Sequence, residues 1–171
     1  SELFKKLIYT HPSFSNQKTS PKKCLVSFSL EAFISSNYIL SSEERFKIYR
    51  SLSLASTVED LKKLKHYTKN RFGPPPSECE SLFLLKKLSL LGALMGIKEV
   101  QYKNLSLIIT LCKKEKNNLV VFCMRMFEKL NLKSYFKEND INVFLTVHIK
   151  NINSAINLTK SIFYGYTKTK T

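Results

Sequence analysis

Apolar side chains along this chain recur with two periods, and the switch between them outlines the fold. Leu3, Phe4, Leu7 and Ile8 fall at the i, i+3, i+4 spacing of a helix. Residues 11–23 are polar, include Pro12 and Pro21, and read as a linker. Cys24, Val26 and Phe28 then alternate with Leu25, Ser27 and Ser29, which predicts a short strand leading into an extended segment through Phe33 and Tyr38.

Helical spacing returns after Ser41 and Ser42, either of which offers an N-cap oxygen, with Glu43 and Glu44 facing the positive end of the helix dipole. Phe46, Tyr49, Leu52 and Ile48 would line one face of this helix. Ser56 or Thr57 caps a second helix, with Val58, Leu61, Leu64 and Tyr67 in step and Lys62, Lys63, Lys65, His66 and Lys69 on the other face. The short connection between them implies an antiparallel helical hairpin. Gly73 and Pro74 stop the second helix, Gly73 as a positive-φ cap and Pro74 because it cannot continue a helix. A long third helix is expected from about Pro76 to Met95, burying Cys79, Leu82, Phe83, the Lys86 stem, Leu90 and Leu94, with Gly96 as the residue past its end.

Beyond residue 97 the period is two. Val100 and Tyr102, then Leu105, Leu107, Ile109 and Leu111, predict a hairpin turning at Lys103-Asn104. Residues 119–130 read as a helix, Val143, Leu145, Val147 and Ile149 as a strand, and residues 152–164 as an amphipathic helix. The expected class is α+β: a helical hairpin and a long helix packed with a small, mainly antiparallel sheet in a single compact domain. The expected boundaries are a helix end at 1–10, a linker at 11–23, the domain at 24–166 and a frayed tail at 167–171.

Length and composition narrow the class further. A chain of 171 residues, 43% of them hydrophobic and including 12 Phe and 8 Tyr, can bury a core without disulfides or metals. No apolar run reaches the length of a membrane span, so no membrane partner is expected. The chain opens on Ser1 rather than Met, as expected of a piece of a longer protein. Cys24, Cys79, Cys112 and Cys123 form no C-x-x-C pair and sit among apolar neighbours, which points to reduced, buried thiols in a cytoplasmic setting rather than a zinc site. The 28 Lys+Arg outweigh 13 Asp+Glu by a net charge of +15. That excess fits a polyanion, an acidic protein surface, or a lysine-rich face that is simply solvated.

Four pieces of the sequence, in order, resemble the C-terminal domain of bacterial transcription-repair coupling factors. They are Leu30-Glu31-Ala32-Phe33-Ile34 through Tyr38-Ile39; Glu44-Arg45 with Tyr49; Arg71-Phe72-Gly73-Pro74-Pro75-Pro76; and Leu94-Met95-Gly96-Ile97. The match is strongest over residues 24–102. Leu3-Phe4-Lys5-Lys6-Leu7-Ile8 also looks like the helix that joins such a domain to an upstream motor. The resemblance implies a parent that translocates on duplex DNA with ATP, displaces stalled RNA polymerase and recruits the excision-repair protein UvrA. It implies a regulatory role for this domain, packed against the UvrA-binding module of the same protein and masking it, with no catalytic residue of its own. The candidate interface is then Tyr67, Asn70, Arg71, Lys69 and His66, with Phe72, Gly73, Pro74 and Gly96 as structural motif residues. Family members place carboxylates at the positions held here by Asn70 and Tyr67, so the contact is either rewired or weaker in this chain.

The residues themselves carry little catalytic chemistry. There is no G-x-x-x-x-G-K-[ST] phosphate loop, and His11, His66 and His148 lie in separate elements, so neither ATP nor another cofactor is expected. Read without the family, Phe72 is a core plug and Arg71 a helix cap or carboxylate partner. A second functional class stays open: a free-standing basic nucleic-acid-binding module, with Tyr67 among Lys62, Lys65 and Lys69 supplying stacking and phosphate contact.

Overall fold

The computed structural model describes residues 23–112 and 117–168. The helix expected at 1–10 and all but the last residue of the linker expected at 11–23 lie outside the described residues. Among the described residues the chain forms two compact units, one of residues 32–86 and the other of residues 23–31, 87–112 and 117–168. Among the described residues there are five helices and one five-stranded sheet, and the class is α+β.

The first unit is helical. Helix α1 (Ser42–Leu54) starts at Ser41, whose side chain accepts from the Glu44 backbone N–H. Helix α2 (Val58–Phe72) starts at Thr57 in a capping box: the Thr57 hydroxyl accepts from the Asp60 N–H and the Asp60 carboxylate from the Thr57 N–H. Ile48 and Leu52 of α1 and Leu61 of α2 are the buried apolar positions. Phe46, by contrast, is 55% exposed, so the apolar stripe of α1 is narrower than its sequence suggests. Tyr67 also falls off the buried stripe of α2. Thr68 occupies that place, fully buried, because its hydroxyl is satisfied by the Leu64 carbonyl at 2.8 Å.

The extended segment before α1 is held by that helix. Arg45 donates from Nη1 to the carbonyls of Ile39 (2.6 Å) and Leu40 (2.9 Å), and the Ile34 N–H donates to the Tyr49 hydroxyl (2.7 Å). Arg45 and Tyr49 are one turn apart, so a single helical face reaches both ends of the segment and lets Ile34 and Ile39 be buried. The Arg-x-x-x-Tyr spacing read in the sequence therefore has a structural task. Helix α3 (Ser77–Leu94) begins in this unit, where the Glu78 carbonyl accepts from the Phe33 N–H at 3.2 Å.

The second unit contains the sheet and the end of α3. Strand β1 (Leu25–Ser27) runs parallel to β2 (Ile97–Lys103), and β2 is antiparallel to β3 (Ser106–Cys112). Strand β5 (Asn142–His148) pairs antiparallel with both β3 and β4 (Ser134–Glu138), giving the order β1-β2-β3-β5-β4. Leu107, Ile109, Leu111, Val143, Leu145 and Val147 face one side and are buried, as their alternation requires. Helices α4 (Asn117–Lys129) and α5 (Ile152–Lys168) contribute Leu119, Cys123, Phe127, Ile162 and Phe163 to this core. Helix α5 continues through Lys168, past the Tyr164 end expected from periodicity.

Two further positions depart from expectation. Leu94 is 75% exposed rather than buried, and Leu88, Leu91 and Met95 carry the buried stripe of this end of α3. The β2–β3 turn is at Asn104-Leu105, one residue later than Lys103-Asn104, with positive φ at both (50° and 56°). Leu105 is thus a turn residue, not a strand residue. Glycine is required at Gly92, where an added Cβ would lie 2.5 Å from Cys24 Sγ.

Candidate functional site

The sequence candidates fall on the outward face of α2. Positions 63, 66, 67, 70 and 71 repeat at i, i+3, i+4, i+7, i+8, opposite the side that buries Leu61 and Thr68. In the structure Lys63, His66, Tyr67, Asn70 and Arg71 together line a shallow concavity. His66 Nε2 and Asn70 Nδ2 are 2.9 Å apart. Lys69 lies on the exposed flank and does not line the concavity. Lys63 was legible only as part of the polar face, although its place one helical turn before Tyr67 marks the same stripe.

Arg71 organises the end of this face. One amino group, Nη2, donates to Glu44 Oε1 at 3.3 Å, and the guanidinium lies 6.0 Å from the Tyr67 ring centre and 5.5 Å from that of Phe72. Stacking and the ion pair together fix a long side chain that is otherwise half exposed. Of the two roles read for Arg71, that of carboxylate partner is the one seen. Glu44 reaches Arg71 from another helix, a pairing that no local spacing marks. Glu44 Oε1 also lies 3.6 Å from Lys47 Nζ.

Phe72, expected as a core plug, is half-buried and meets Tyr38 edge to face at 6.4 Å between ring centres. The Tyr38 hydroxyl donates to the Gly73 carbonyl at 2.7 Å. Gly73 has φ 88° and ψ −174°, and its N–H donates to the Lys69 carbonyl at 2.9 Å. Gly73 thus caps α2 at the positive φ expected, with ψ in the extended mirror-image region rather than the left-handed helical one. Pro74 follows, exposed. Gly96, in the second unit, has φ 74° just past the end of α3.

The rest of the α2 surface is less uniformly basic than its sequence. Lys62 lies 3.5 Å from Glu59, and Lys65 pairs with Glu80 at 2.5 Å. The cysteines are free. Burial pushes the thiols of Cys24 and Cys123 up to about 12 and that of Cys79 up to about 11, well away from the thiolate form. His148 is exposed at the end of β5. Among the described residues no helix is long and apolar enough to cross a membrane.

These features define a class first: an α+β domain in which a helical hairpin presents a polar, arginine-anchored face and a separate unit carries a mixed sheet. The profile of the TRCF domain family matches residues 28–121, more than half of the chain, and the chain belongs to that family. It is 30% identical over 82 residues to the transcription-repair-coupling factor of Borreliella burgdorferi; the match spans 48% of this chain and 7% of that protein. The crystal structure of the C-terminal domain of transcription-repair coupling factor has the same fold. It aligns over 87% of this chain and 94% of that one with a TM-score of 0.70, at 17% identity.

Proposed function

We propose that this chain is the regulatory, protein-interaction domain of a transcription-repair coupling factor, and that it masks the UvrA-binding module of the same protein. On this reading the parent is a cytoplasmic, ATP-dependent DNA translocase that removes stalled RNA polymerase from duplex DNA and recruits UvrA for nucleotide excision repair. The domain itself contributes no catalytic group. Its part is a surface, and the observation that carries this is the outward face of α2, where Lys63, His66, Tyr67, Asn70 and Arg71 surround one concavity and Glu44 fixes Arg71. A half-exposed tyrosine beside an immobilised arginine is the composition of an interface anchor.

The test is UvrA capture by the parent protein, comparing the native sequence with a Tyr67→Ala, Arg71→Ala double variant. Masking through this face predicts increased capture by the variant. Equal capture, with both proteins folded, removes this face from the masking contact. The net charge of +15 supports a second reading, a basic nucleic-acid-binding module. Its signature is DNA affinity that falls steeply with salt and depends on the α2 lysines.

A further inference from the structure

We infer that the outward face of α2 is a receptor for carboxylates: its partner is an acidic polypeptide segment, received by Arg71 and Lys63 over the Tyr67 ring. The inference rests on the reading of α2 as a docking face and names the chemistry of what docks there. Its first support is the state of Arg71. A guanidinium offers five N–H donors in a planar fork. Here Nη2 donates to Glu44, and neither Nε nor Nη1 donates a hydrogen bond among the described residues. The ring contacts with Tyr67 and Phe72 and the Glu44 tether hold the fork in place before any partner arrives. Less side-chain entropy is then lost when a second carboxylate binds.

Charge along the face is the second support. Lys63 lines the same concavity as Arg71, and among the described residues it makes no ion pair. Every group lining the concavity is a cation, an amide, an imidazole or a phenol; none is a carboxylate. Such a surface offers an acidic side chain donors on several sides, and the neighbouring Glu44 carboxylate is shared between Arg71 and Lys47.

Several observations favour an acidic polypeptide over a nucleic acid. A nucleic-acid backbone needs a run of unneutralised cations along its track. The flanks of this face lack one, because Lys62 is matched by Glu59 and Lys65 by Glu80. Base stacking needs an open aromatic ring, whereas Arg71 already lies over Tyr67. What remains is a short patch that suits a few carboxylates on a helix or loop.

The experiment titrates the full 171-residue chain with a fluorescent peptide of alternating glutamate and leucine, and with its glutamine counterpart. Saturable binding of the first only is expected. A Lys63→Glu, Arg71→Gln double variant should weaken it about tenfold or more, while Arg71→Lys, which keeps the charge but not the fork, should give an intermediate loss. A Lys129→Glu, Lys133→Glu variant in the second unit serves as the control and should bind as the native chain does. Melting curves establish that each variant is folded; if the double variant is not, Arg71→Lys and Lys63→Gln carry the comparison. Equal weakening by the control pair would show that the peptide reads net charge alone and would overturn the inference. So would duplex DNA of equal charge that binds more tightly and is lost in the same double variant. The outcome is separable from the masking proposal: peptide binding with unchanged UvrA capture keeps the receptor and discards the masking role, and the reverse result does the opposite.

Discussion

Gly73 combines φ 88° with ψ −174°, a region open almost only to glycine. An added Cβ would meet nothing within 4 Å, so any penalty at this position is backbone strain rather than a clash. Gly73→Ala should therefore destabilise the fold by about 1 kcal/mol or more, read as a lower melting temperature. An unchanged melting temperature would mean that the turn after α2 relaxes freely. Asp60 offers a second test. Hydrogen bonding by Thr57, with help from Ser56, holds its carboxyl below the ordinary aspartate value. A folded pKa below the unfolded one gives stability that is present above the unfolded value of about 3.9 and is lost as pH falls through the folded value. The stability gap between the native chain and Asp60→Asn should be constant near neutrality and close at acidic pH. A gap that persists at pH 2 would show that the capping box acts through something other than the carboxylate.

The elements divide according to how their signals arise. The N-caps, the α2 stop and the alternation of β3 and β5 were legible because each depends on neighbours a few residues away. Strand β4 was not, since Tyr135 (67% exposed) and Phe136 (47% exposed) leave an edge strand with no buried side to mark its period. Leu105 misled for a related reason: an apolar residue in step with a strand was read as its first member, whereas it completes the turn at φ 56°. Two positive-φ residues in a two-residue hairpin favour Asn-Gly, and the chain has Asn104-Leu105. Leu105→Gly should raise stability, since the left-handed conformation costs a non-glycine residue about 1–2 kcal/mol. The backbone bond from the Ile149 N–H to the Leu105 carbonyl is kept in that variant. A lower denaturation midpoint would indicate that Leu105, despite being 51% exposed, contributes more by packing than it costs in strain.

At the scale of the whole molecule, charge is the property that sequence represents least well. A sum of +15 contains no information on which lysines face carboxylates. The structure supplies it for Lys47, Lys62 and Lys65, each within ion-pair distance of a glutamate. Exposed pairs of this kind add little stability, yet they locally cancel the field that a polyanion would follow. DNA binding by the chain at physiological salt should accordingly stay near the non-specific range of about 10⁻⁴–10⁻⁶ M. Replacing Lys62, Lys65 and Lys69 with glutamate should change it little. Sub-micromolar affinity that disappears in this triple variant would place the chain in the nucleic-acid-binding class instead. The candidate face was legible in part: one helical stripe was visible in the sequence, whereas the Glu44 contact joins residues far apart in it and could not be.

The buried thiols extend this picture to time. Cys79 lies in the first unit and Cys24 and Cys123 in the second, and all three are buried with their thiols pushed up to between about 11 and 12. A thiol-specific reagent attacks the thiolate, so each site becomes reactive only when the structure around it opens. Mass spectrometry of peptides modified after increasing exposure thus reads two internal clocks, one in each unit, without any added probe. Equal rates at Cys79 and Cys123 mean that the units open together; unequal rates give the order in which they come apart.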